Sequence, residues 1–94
     1  MLVAVLTIHF QLPDCASLKD KRSHVKPILT RLHKEFNVSV AEIDLQDRWR
    51  ESVIACVMTG NDRVFLTKAL QEVLAHFERV WPDLPVLAEE IELM

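Results

Sequence analysis

From Leu2 to Leu12 the chain alternates without a break. Leu2, Ala4, Leu6, Ile8, Phe10 and Leu12 form one row, and Val3, Val5, Thr7, His9 and Gln11 form the other. A two-residue period fits an extended strand whose first row is the more deeply buried. Pro13-Asp14 stops it. Beyond Leu18 the period becomes helical, with Leu18, Val25, Ile28, Leu29, Leu32 and Phe36 on one face. Ser17 is suited to cap that helix, with Asp20 in a capping-box position. Pro27 lies inside it and removes the donor due to the Ser23 carbonyl. The apolar stripe keeps its phase across the proline, which predicts one bent helix rather than two.

The remainder divides in the same way. Val38 to Asp44 reads as a second strand, Leu45 to Arg48 as a turn, and Trp49 to Thr59 as a third strand, apolar on both faces at its centre. Gly60-Asn61-Asp62 ends that strand and caps a second helix, whose stripe is Leu66, Ala69, Leu70, Val73, Phe77 and Val80. Trp81 to Pro85 closes the helix, and Val86 to Leu93 forms a last strand. The order β-α-β-β-α-β predicts an α+β, ferredoxin-like sandwich: one domain over residues 1–94, with four antiparallel strands and two helices on one face.

Half of the 94 residues are hydrophobic and one is glycine, which favours a packed core over disorder. No apolar run approaches the roughly 20 residues that span a bilayer. The first eight residues lack a signal peptide's basic flank and cleavage site. No membrane partner is expected, and a cytoplasmic location is the default. Cys15 and Cys56 are too few for a zinc site and read as reduced thiols, Cys56 as core filler.

A two-layer fold leaves one sheet face uncovered. Val3, Val5, Thr7 and His9 would lie on it, with an apolar row from the third strand, and such a patch marks an interface. Self-association into a homodimer is the simplest use. RNA stacking on the sheet needs central aromatic residues, and there are none. Trp49 either caps the core at the sheet end or presents its ring to a partner.

Charge is unevenly placed. Residues 1–34 carry six Lys or Arg against two Asp, a balance of +4; residues 35–94 carry five against twelve Asp or Glu, a balance of −7. The basic excess sits at the start of the first helix, where cations are disfavoured by about 0.3–1 kcal/mol each. Lys19, Arg22, Lys26 and His33 share one arc beside the apolar stripe, and Lys21 lies among them in sequence. The segment reads either as solvated side chains covering apolar surface or as the receiver of a phosphate or carboxylate. No glycine-rich loop precedes it, so a phosphate-cradling nucleotide loop is excluded.

Ser17-Leu18-Lys19, Lys21-Arg22, Lys26-Pro27, Phe36 to Glu42, Asp47 with Trp49, and Gly60-Asn61-Asp62 occur in an order that resembles the YlxP-like family, small bacterial proteins of unknown function. The resemblance covers nearly the whole chain. It implies a ferredoxin-like fold and a genomic setting beside translation and ribosome-maturation genes. The family's basic motif falls on Lys19, Lys21 and Arg22, and its hairpin motif on Glu42, Asp47 and Trp49. No catalytic residues carry over.

Other chemistry is weakly supported. His9, Asp14 and Cys15 cluster at the end of the first strand, but a strand rarely aims a Cys and a His at one point. Glu42, Asp44, Asp47 and Glu51 crowd the hairpin and read as solvated or paired with Arg48 and Arg50. No metal and no cofactor are expected. The chain is therefore expected to be a non-enzymatic binding protein that meets RNA or a ribosomal particle through Lys19, Lys21, Arg22, Lys26 and His33. The alternative is a homodimeric small-ligand-binding or regulatory domain, with Val3, Val5 and Trp49 at a partner surface.

Overall fold

The first strand, β1 (Leu2–Gln11), keeps the alternation of its sequence. Ala4, Leu6, Ile8 and Phe10 are buried and the odd-numbered row is half-buried. A computed structural model describes all 94 residues. The first helix, α1 (Leu18–Glu35), runs unbroken through Pro27. Ser17 Oγ accepts the Asp20 N–H at 3.0 Å. Asp20 returns its own carboxylate to the Ala16 N–H, one residue before the cap, also at 3.0 Å. One free donor of the helix and the N–H just before its cap are thereby satisfied without a glycine-rich turn.

Next come β2 (Ser39–Asp44), β3 (Glu51–Gly60), α2 (Arg63–Val80) and β4 (Val86–Leu93). The third strand begins at Glu51 rather than Trp49, because the turn is longer than its polar core. It contains Leu45 at φ 58°, a left-handed conformation that costs a branched residue about 1–2 kcal/mol. At α2 the Asp62 carboxylate accepts the N–H groups of Val64 at 3.0 Å and Phe65 at 3.2 Å.

The sheet order is β2-β3-β1-β4, with every neighbouring pair antiparallel. This is the ferredoxin-like arrangement. The central strands pair without slippage from Leu2 opposite Gly60 to Gln11 opposite Glu51. The edges are less regular, since β2 shifts register between Glu42 and Asp44 and β4 opposite His9 and Phe10.

Both helices cover the even-numbered face of β1. Ile28 and Leu32 from α1 meet Leu66, Leu70, Val73 and Phe77 from α2 over Leu6, Ile8, Ile54 and Cys56. Phe10 and Phe77 stack edge to face, with centroids 4.9 Å apart. Each buried side chain of this size contributes roughly 1.5–3 kcal/mol. Cys15 and Cys56 are both free and buried. No helix is long and apolar enough to cross a membrane.

Candidate functional site: the basic face of the first helix

On the side of α1 turned from the core, Arg22, Lys26, Arg31 and Lys34 line an open groove of about 560 Å³ with Ser23, Pro27, Thr30 and Glu35. Positions 22, 26, 30 and 34 follow one i, i+4 row, so the groove runs about 18 Å along the helix. Pro27 lies in its floor with no N–H to offer the Ser23 carbonyl. Glu35 is the single acid and it is already engaged. Its Oε1 accepts Arg31 Nε at 3.1 Å and its Oε2 lies 3.3 Å from His76 Nε2. Arg31 also holds its guanidinium 5.9 Å from the centre of the Trp81 ring. Arg22, Lys26 and Lys34 take part in none of the molecule's ion pairs.

Arg22 and Lys26 also border a second groove of about 360 Å³, shared with Glu42, Gln46 and Asp47 of the hairpin. The two cations form the ridge between this groove, which carries Glu42 and Asp47 beside its cations, and the basic one, whose single acid is Glu35. An anion approaching α1 meets less repulsion on the basic side.

The structure brings together only part of the expected cation set. Arg22 and Lys26 share the groove, whereas Lys19 and His33 are exposed outside it. His33 donates Nδ1–H to the Val38 carbonyl at 3.0 Å, holding the end of α1 to the start of β2. Lys21 corrects the expectation outright. It is 2 % exposed, with Nζ donating to the Leu45 carbonyl at 2.7 Å and lying 2.9 Å from Glu42 Oε2. A cation so enclosed is unavailable to a phosphate. Arg31 and Lys34 complete the groove, and both were outside the expected set. Their signal was the same helical row read one turn further.

The uncovered sheet face carries Val3, Val5, Thr7 and His9 from β1 opposite Thr59, Val57, Ala55 and Val53 from β3. Its centre holds no aromatic residue. Trp49 is half exposed in the hairpin and is absent from the side chains packed on the core, so it does not cap the sheet end. The ring that does so is Trp81, 5.4 Å from Phe77.

His9 and Cys15, close in sequence, are not brought together. Strand alternation puts His9 on the uncovered face, where Nε2 donates to Glu51 Oε1 at 2.8 Å. Cys15 lies below Leu12 on the opposite side, beside His24. The hairpin acids do not pair with Arg48 and Arg50 either. Glu42 holds Lys21 and accepts the Ser52 hydroxyl, while Arg50 Nε donates to the Cys15 carbonyl at 3.1 Å. Glu42 and Asp44 are separated by the register shift of β2. His76 lies outside the apolar stripe read for the second helix, yet it is buried. It is 5 % exposed, with Phe36 and Trp81 against its ring. Arg79 Nη2 donates to its Nδ1 at 3.2 Å, which leaves Nε2–H directed toward Glu35 without hydrogen-bond alignment.

Residues 3–91 match the family described as "Protein of unknown function (DUF503)". The chain is 43 % identical over 65 residues to the uncharacterized protein YlxP of Bacillus subtilis, covering 69 % of this chain and 71 % of that one. Among solved structures it is similar to the de novo designed protein Foldit4, with a TM-score of 0.53 and 15 % identity over 98 % of this chain and 96 % of the other. That likeness concerns the fold alone.

Proposed function

The chain belongs to the YlxP-like (DUF503) family, and we propose that it is a non-enzymatic protein that binds RNA, as free RNA or within a ribosomal particle, through the groove on α1. One observation carries this reading. Arg22, Lys26 and Lys34 share a groove with no uncommitted carboxylate, and none of the three is paired. Like charges one turn apart destabilise a helix by about 0.2–0.5 kcal/mol per pair. Single-stranded phosphates along the row relieve that repulsion and release their counterions.

The net charge of −3 and the acids of β4 restrict contact to this one row. That favours a short segment of strand over a wrapped duplex. The genomic setting implied by the family resemblance agrees with an RNA-bearing partner. Sedimentation of a cell extract tests the reading. The protein is expected to travel with ribosomal subunits at low salt and to leave them at high salt. It stays at the top of the gradient at both if Arg22→Glu and Lys26→Glu are introduced. A wild-type chain that never enters the gradient, or a variant that sediments like it, contradicts the proposal.

A second reading rests on the sheet. Val5, Val53 and Val57 leave an apolar strip on the face that no helix covers, and pairing two copies across it gives a homodimeric ligand-binding or regulatory domain. Light scattering at high concentration decides it: a strictly monomeric mass removes the dimer.

A further inference from the structure

Three side chains with metal-ligating atoms converge where β1 gives way to α1. Cys15 Sγ, Asp20 and His24 place one ligand atom each within 4.8 Å of the others. His24 Nε2 and Asp20 Oδ1 are 3.5 Å apart. Zinc bonds of about 2.0–2.3 Å in tetrahedral array separate neighbouring ligand atoms by roughly 3.3–3.8 Å. The His–Asp edge already has that length, and the thiol needs to move by no more than about 1 Å.

We propose that Cys15, Asp20 and His24 form a binding site for a zinc-like divalent cation, with a fourth position open toward the neighbouring cleft. The reading is independent of the RNA-binding groove, which uses other residues of α1.

The supporting groups are fixed in advance. Asp20 uses Oδ2 to accept the Ala16 N–H, which orients the carboxylate and leaves Oδ1 for the cation. The Cys15 backbone is held at both ends. Its N–H donates to the Leu12 carbonyl at 3.2 Å and its carbonyl accepts Arg50 Nε at 3.1 Å. Cys15 and His24 line a cleft of about 260 Å³ with Asp14, Trp81 and Asp83, enough room for water or a small ligand on the metal.

The charge pattern distinguishes a cation site from a nucleophile. Burial pushes the Cys15 thiol up, and the carboxylates of Asp20 and Asp14 push it further, against smaller opposing effects of Lys21 and Arg50. A thiol so placed is a poor nucleophile at neutral pH. A divalent cation reverses the balance, since it replaces the Sγ proton and neutralises the acids that disfavoured the thiolate.

Cobalt(II), which occupies zinc sites and reports its ligands by absorption, is titrated into the intact, reduced chain. The expected result is a thiolate-to-cobalt charge-transfer band that saturates at one equivalent, strengthens as pH rises and is displaced by zinc. Cys15→Ser abolishes the band and Cys56→Ser leaves it unchanged. His24→Gln weakens binding at least tenfold. The His24 side chain is 55 % exposed, so this variant reports on the site even if Cys15→Ser fails to fold. Absence of the band at a hundredfold excess of cobalt overturns the proposal. So does a band that survives Cys15→Ser, or an affinity unmoved by His24→Gln.

Discussion

Lys21 Nζ lies 2.9 Å from Glu42 Oε2 and joins the first turns of α1 to the edge strand β2. The two partners are unequally enclosed, Lys21 at 2 % exposure and Glu42 at 20 %. Glu42 also accepts the Ser52 hydroxyl, and Lys21 has the Leu45 carbonyl as well. Left-handed Leu45 and the β2 register shift turn this hairpin so that both acceptors reach one ammonium.

Removing the acid strands a buried cation, whereas removing the cation leaves an acid that water still reaches. Glu42→Ala is therefore expected to cost about 3–5 kcal/mol. Lys21→Met, which keeps the stem's volume, costs less than half of that. Urea denaturation of the two variants measures the difference. Equal losses contradict the asymmetry.

The N-cap of α2 makes a smaller prediction. Asp62 accepts two backbone N–H groups, and no acidic residue follows in the first turn. Asp62→Ala should lose about 0.5–2 kcal/mol, and Asp62→Asn should recover most of it. Thermal unfolding checks both.

Burial pushes the Cys56 thiol up to about 12 from its ordinary 9.0. The unfolded chain then loses this proton at lower pH than the folded one. Between about 9 and about 12 the unfolded state binds fewer protons, so stability falls as pH rises through that window. Below 9 the thiol contributes no slope. Cys56→Ala should flatten the fall above pH 9 relative to wild type, measured by denaturation at stepped pH.

These predictions draw on features that differ in how far the chain announces them. The alternation from Leu2 to Leu12 assigned both faces of β1 correctly, because a two-residue period has only one outcome once a face is buried. Lys21 was misjudged because its charge outweighed its position. It stands three residues after Leu18 and four before Val25, directly on the apolar stripe. His76 is likewise a polar residue on a buried face, one position before Phe77 on α2. Asp20 and His24 are one helical turn apart and legible as neighbours. Cys15 joins them only through the loop after Leu12, whose path depends on Arg50 from a distant hairpin. Short-range pattern cannot carry that contact.

The central claim is that Arg22, Lys26 and Lys34 touch phosphates. Fluorescence anisotropy of a single-stranded RNA, repeated across salt concentrations, measures it as the slope of log K against log[salt]. Each phosphate contact on a single strand contributes about −0.7 to that slope. Replacing all three residues by alanine should therefore make the slope shallower by about 2. An unchanged slope and affinity in the triple variant would contradict the account.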